Sequence, residues 1–146
     1  MNVERLNKLI ELLETIPDAD FDLRNWVGKY EGAQLVDNPK PDLILDGNCG
    51  TVACAVGWAC LDPWFNSQGL KLDLPPNCVG SEPTYYCPNE GWEYFGFSAV
   101  AAFFDIHAFI AEELFLPIHY PETDRVKPSQ VIEKIKEFMI QENQHS

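Results

Sequence analysis

An uncharged run near the middle of the chain constrains the fold most strongly. Residues 50–61 read Gly-Thr-Val-Ala-Cys-Ala-Val-Gly-Trp-Ala-Cys-Leu and contain no charged side chain. A run of this length and polarity is typical of a helix that is buried on most of its sides. Small residues such as Gly57 allow neighbouring backbones to approach closely, and Pro63 disfavours helical geometry at Asp62. The run therefore predicts a buried central helix over residues 50–61.

Other segments carry helical spacing or the residues that begin and end helices. Residues 33–48 hold two prolines, one glycine and several Asp and Asn residues, and they predict a loop. Together with the central run, the helical segments predict a mainly α protein, a compact bundle of five or six short helices around the helix at 50–61. These segments are the N-terminal one that stops before Pro17, a short one through Leu23, Trp26 and Val27, residues 99–104 after Ser98, residues 107–116, and the one that Pro128 opens.

A small β-hairpin is predicted near residues 70–86. Leu70, Leu72 and Leu74 alternate with polar residues, which is the period of a half-buried strand. The segment 84–86 supplies its partner across a loop rich in Pro, Gly and Asn. The whole chain of 146 residues suits a single domain, 1–146, which buries roughly 68–70% of its unfolded surface without a metal or disulfide.

The charge is strongly negative and unevenly distributed. The chain has 10 Lys and Arg against 23 Asp and Glu, a net charge of −13. Residues 72–124 contain nine of the acids and no Lys or Arg, so the negative field is concentrated there. Such a protein repels phosphate backbones, and we expect no direct nucleic-acid binding. We also expect no membrane span and, from the charged N-terminal residues, no signal peptide and a cytoplasmic location.

The cysteines indicate reduced thiols rather than a disulfide framework. There are five of them, an odd number, and no Cys-x-x-Cys pair occurs among them. Most are expected to be small buried hydrophobic residues, and no cofactor is expected. They are Cys49, Cys54, Cys60, Cys78 and Cys87.

Residues 49–59 carry a motif that resembles a known family. They fit Cys-Gly-Thr-x-x-Cys-x-x-Gly-Trp-Ala, which is found in small uncharacterised proteins from phages, prophages and bacteria. Residues 103–106, with Leu114 and Phe115, resemble the family's Phe-Phe-Gly-Leu…Leu-Phe stretch. Asp105 departs from it, because the family commonly has Gly there. The resemblance implies a phage-type setting and a mostly helical fold, and it implies no chemistry.

Two chemical alternatives follow from the thiols. Cys49 lies at the predicted start of the central helix, where the helix dipole lowers a thiol pKa. His107 or His119 as base and Asp105 as orienting group would complete a thiol-dependent enzyme. Alternatively, Cys49, Cys54 and His107 would form a thiolate–imidazole zinc set. A small-molecule pocket lined by tryptophans is a further alternative.

The favoured interpretation is a protein-binding face in the cation-free block. Aromatic residues beside carboxylates suit recognition, because Tyr and Trp dominate interface hot spots. We therefore predict a non-enzymatic, acidic, phage-type accessory protein that binds and modulates a host protein with a basic surface. A host-defence or nucleic-acid-handling factor fits this description, and binding would occur by acidic surface mimicry. The predicted binding residues are Asp73, Glu82, Tyr85, Tyr86, Glu90, Trp92, Glu93 and Tyr94.

Overall fold

Helices predominate over strands in the computed structural model of the chain. It describes residues 1–23, 27–31, 34–37, 51–72, 82–121 and 126–145. Six helices and six short strands lie in these ranges. The helices are α1 (Val3–Glu14), α2 (Ala55–Leu61), α3 (Pro63–Ser67), α4 (Gly96–Phe104), α5 (Ala108–Phe115) and α6 (Pro128–His145). The strands are β1 (Val27–Glu31), β2 (Gln34–Asp37), β3 (Thr51–Ala53), β4 (Leu70–Leu72), β5 (Pro83–Cys87) and β6 (Trp92–Phe95).

The predicted central helix is shorter than expected. Thr51–Ala53 is strand β3, paired antiparallel with β1, so the helix begins only at Ala55. Cys54 caps it, because its Sγ accepts the N–H of Gly57 at 3.3 Å. The helix that remains is buried, with Ala55, Val56 and Ala59 at 0% exposure. An uncharged run is compatible with a buried strand as well as with a buried helix. Pairing with β1 makes the first part of this run a strand.

The predicted second helix and the loop after it are also partly wrong. Val27–Glu31 is strand β1 rather than the end of a helix. Gln34–Asp37, expected in the loop, is strand β2 and pairs antiparallel with β1. In the order β2-β1-β3, the central strand β1 pairs with its sequence neighbour β2 on one side and with the distant strand β3 on the other. Residues 38–50 and 24–26 lie outside the described ranges.

The helix boundaries set by turn and proline residues are confirmed. Asp105 ends α4 in the left-handed region, at φ 54°. His107 then caps α5, because its Nδ1 accepts the N–H of Phe109 at 3.1 Å. Pro128 begins α6. Ser98 is not a cap, since α4 begins two residues before it at Gly96.

The hairpin predicted near residues 70–86 is confirmed and is larger than expected. β4 pairs antiparallel with β5, with Leu70 opposite Tyr85. β6 adds a third antiparallel strand on the other side of β5, so the order of the second sheet is β4-β5-β6. Helix α4 begins directly after β6 and packs back against β5.

The C-terminal helix α6 is amphipathic. Val131 and Ile135 are fully buried, and Phe138 and Met139 pack partly buried beside the same core. The opposite side of the helix carries charged and amide side chains. Of the helices in the described ranges, none combines the length and the apolar character that crossing a bilayer requires.

The ring of Phe103 is the meeting point of four elements. Its centroid lies 5.8 Å from that of Phe65 in α3, 5.3 Å from that of Tyr85 in β5 and 5.0 Å from that of Phe104. The guanidinium carbon of Arg5 in α1 lies 4.2 Å from the same ring centre, and its Nη1 donates to the carbonyl of Phe103 at 2.8 Å. Phe103 therefore fixes how α1, α3 and β5 sit against α4.

Replacement of this ring should be among the most destabilising single changes. We expect Phe103→Ala to reduce the free energy of unfolding by about 3–5 kcal/mol, because a buried ring is lost and a cavity remains. Phe109→Ala is the matched control, since Phe109 is 58% exposed and should cost less than about 0.5 kcal/mol. Denaturant unfolding followed by circular dichroism measures both, and equal losses would contradict the role given to Phe103.

Candidate functional site

The carboxylate of Glu90 organises two aromatic side chains at the end of the β5–β6 hairpin. The Nε1–H of Trp92 donates to Glu90 Oε2 at 3.1 Å, and the hydroxyl of Tyr94 donates to the same oxygen. The two rings meet edge to face, with centroids 6.2 Å apart and planes at 86°. Trp92 is nonetheless 63% exposed. A large aromatic surface is thus held in one orientation while most of it faces solvent.

The turn at residues 88–91 places Glu90 where both rings reach it. Gly91 takes φ 79°, which favours glycine, and its N–H donates to the carbonyl of Cys87 at 2.9 Å. Cys87 is then opposite Trp92, and Tyr85 is opposite Tyr94. Because successive side chains of a strand point to opposite faces, Trp92 and Tyr94 share one face of the hairpin.

The other face of the hairpin is aromatic and acidic as well. Tyr86 lies directly opposite Glu93, and both are exposed. Phe95, two residues further along the same strand, lies on that same face. Tyr86 is 52% exposed and Phe95 is 46% exposed. The β5–β6 hairpin therefore presents exposed rings and a carboxylate on both of its faces.

Most of the predicted binding residues lie in this hairpin. Tyr86, Glu90, Trp92 and Glu93 are exposed, and Tyr94 is half-buried. Tyr85 is different, since it is 6% exposed and packs on Phe103, so it does not belong to the exposed surface. Glu82 is half-buried just before β5, and Asp73 lies outside the described residues. Phe95 was not among the predicted residues, although its place two residues after Glu93 in a strand pattern could have identified it.

A cleft of about 600 Å³ lies beside the hairpin, between the start of α1 and helix α4. It brings together Tyr85, Glu90, Tyr94 and Asp105, which sequence reasoning had assigned to two different hypotheses. Arg5 and the half-buried Cys87 also line it, and neither was predicted. The Nη1 of Arg5 lies 3.5 Å from the hydroxyl of Tyr85, so the cleft has a cation near its floor as well as carboxylates.

The thiol-enzyme alternative depends on Cys49, which lies outside the described residues, so it stays a prediction. The central helix begins after Cys54 rather than at Cys49. Burial raises the pKa of the Cys54 thiol to about 12, which opposes nucleophilic activation. His107 uses its Nδ1 as a helix cap, and the carboxylate of Asp105 lies 3.2 Å from the terminal ammonium of Met1.

The residues of the zinc alternative occupy unrelated environments. Cys54 is buried at the start of α2, whereas His107 is exposed at the start of α5. Within the described ranges, no three His, Cys, Asp or Glu side chains are grouped closely enough to hold a metal ion. Cys49, the third member of the proposed set, is not among those residues.

Comparison of this chain with known protein families, with curated proteins and with solved structures finds no match.

The two buried thiols should resist alkylation in the folded protein. Burial raises the pKa of both Cys54 and Cys60, so at about pH 8.5, near the ordinary thiol pKa, few of these groups are thiolates. We expect iodoacetamide to leave both unmodified in native protein and to modify both after unfolding in guanidinium, as measured by peptide mass spectrometry. Rapid native modification of Cys54 would contradict the burial described here.

Substitution of Glu90 should change the titration of Tyr94. The hydrogen bond to the Glu90 carboxylate raises the pKa of Tyr94, because the negative acceptor stabilises the protonated phenol. The contribution of this hydrogen bond to folding stability is fully present below the ordinary tyrosine pKa of about 10, and it is lost as the pH rises through the raised pKa of Tyr94. We expect Glu90→Gln to lower the pKa of Tyr94 in a phenolate absorbance titration.

A Tyr94→Phe variant identifies which part of the absorbance change belongs to Tyr94. Glu93→Gln is the matched control, because Glu93 lies on the opposite face of the same strand. It should leave the Tyr94 titration unchanged. An identical curve for the parent and Glu90→Gln would show that the contact does not persist in solution.

Proposed function

We propose that this chain is a non-enzymatic, acidic accessory protein that binds and modulates a host protein through its β5–β6 hairpin. The observation that carries the proposal is Trp92, whose ring is 63% exposed and yet anchored by Glu90. Exposed large apolar side chains mark interaction sites when they are grouped. A ring that is already oriented loses little conformational entropy on docking, which favours affinity.

The charge around the hairpin supports a basic partner. Residues 72–124 contain no Lys or Arg, so Glu90 and Glu93 have no cation near them in sequence. Complementary charge speeds association and suppresses wrong partners more than it adds affinity. A basic groove that ordinarily receives a phosphate backbone is the partner surface that this proposal favours. The phage-type setting is supported only by the resemblance of residues 49–59.

A truncation of the exposed ring tests the proposal. A binding partner captured from host lysate is first purified, and its dissociation constant is then measured for each variant. We expect Trp92→Ala to weaken binding at least tenfold, about 1.4 kcal/mol, as central aromatic anchors do. Ile118→Ala is the control, since Ile118 is 74% exposed on the 3₁₀ turn after α5. Equal affinities for the parent and Trp92→Ala would exclude the hairpin as the binding site.

A charge reversal tests the electrostatic part through the association rate, although it also removes the carboxylate that anchors Trp92. The double variant Glu90→Lys, Glu93→Lys should slow association and reduce its dependence on salt, because rim charges act mainly on the association rate. Glu112→Lys with Glu113→Lys on α5 changes the net charge equally at a site outside the hairpin. If the two double variants slow association to the same extent, overall charge rather than the hairpin steers the partner.

A further inference from the structure

Strand β6 forms an outer edge of the β4-β5-β6 sheet. It pairs with β5 along one side, from Trp92 opposite Cys87 to Phe95 opposite Thr84. Within the part of the chain that the structure describes, no strand pairs with its other side. Alternate residues of such a strand direct their backbone N–H and C=O groups away from the sheet. These groups form a template on which another strand can pair.

Strand β6 is short and carries one charge, that of Glu93, but it lacks the lysine and proline residues that often protect such a template. Proteins commonly place Lys or Pro on an edge strand to prevent pairing with other chains. Residues 92–95 are Trp-Glu-Tyr-Phe, with three aromatic residues that favour strands and neither Lys nor Pro. Two of the three, Trp92 and Phe95, are well exposed on opposite faces. An added strand would therefore find apolar contacts above and below the sheet.

We propose that β6 binds an extended, basic segment of the partner as an additional strand of this sheet. The inference rests on the proposed function and specifies how the hairpin holds its partner. Backbone hydrogen bonds along the edge supply affinity, and side chains on the two faces supply selectivity. Glu90 lies with Trp92 on one face, and Glu93 lies on the other. Lys or Arg side chains of the added strand thus meet a carboxylate whichever face they point to.

The charges near β6 favour a basic segment over a second copy of this chain. A second copy would bring its own Glu93 to the same edge, in a chain whose net charge is −13. Carboxylates that face each other across paired strands are destabilising. A basic segment removes this repulsion and gains attraction instead.

Hydrogen exchange with a synthetic peptide tests the proposal on the full chain. The probe is an eight-residue peptide of alternating lysine and valine. We expect its binding to slow exchange of alternate amides in residues 92–95 at least tenfold, because only alternate N–H groups face the edge. Amides of α5 serve as the internal reference. Binding without any added protection of β6 amides would overturn strand addition.

Three N-methylated forms of the peptide provide the second measurement. One carries methyl groups on the backbone nitrogens of the lysines, one on those of the valines and one on both sets. A strand added to one edge uses only one of these two sets at a time, so a singly methylated form can still bind through its free set, whereas the form methylated on both sets should bind at least tenfold more weakly than the parent peptide. Undiminished affinity of the peptide that is methylated on both sets would overturn the inference.

The outcomes separate this inference from the proposed function. A purified host partner that requires Trp92 but gives no protection of β6 amides supports the hairpin as the binding site and excludes strand addition. A protein that sediments as a dimer with its β6 amides already protected shows that a second copy occupies the edge, which overturns the inference. A peptide that fails to bind also overturns it, while the loss of partner affinity in Trp92→Ala still tests the function.

Discussion

The packing of Phe103 is the interaction on which the described structure depends. An aromatic ring at this position contacts a helix before it, a strand beside it and its own neighbour Phe104. Arg5 completes the arrangement, because its guanidinium covers the ring and donates to the carbonyl of the same residue. A guanidinium that lies over an aromatic ring and donates to a backbone carbonyl is stabilised by both contacts without a carboxylate partner. Arg5 thus joins α1 to Phe103, which lies in the most acidic stretch of the chain, through a ring contact and a hydrogen bond.

This junction also determines where the hairpin stands. Tyr85 is held against Phe103, so the opposite residue Tyr94 is placed at the border between core and solvent. From there its hydroxyl reaches Glu90, and Glu90 in turn orients Trp92. The exposed ring is therefore connected through four contacts to the centre of the core. The ring of Trp92 is thus held in one orientation although it is exposed. An isolated exposed apolar residue has no such contacts to fix its orientation.

Local patterns identified most of the helices, and they missed the first sheet, in which β1 pairs both with its neighbour β2 and with the distant strand β3. The amphipathic helix α1, the break at Asp105 and the start of α6 at Pro128 follow from spacing and turn chemistry that neighbouring residues set. Thr51–Ala53 became a strand because β1 supplies its partner, which no pattern within the run reveals. The same limit applies to the site. The composition identified an aromatic and acidic block, but only the register separates buried Tyr85 from its exposed neighbours.

The left-handed turn at Asp105 restricts how this protein can vary. Asp105 has φ 54°, a conformation that is strained for a residue with a Cβ atom. The strain is smaller for Asp and Asn than for most other residues. Substitutions at position 105 should therefore be confined to Gly, Asn and Asp across any set of natural variants, whereas the exposed helix positions nearby vary freely. That narrow choice provides a marker for recognising distant relatives by fold when the rest of their sequences have diverged.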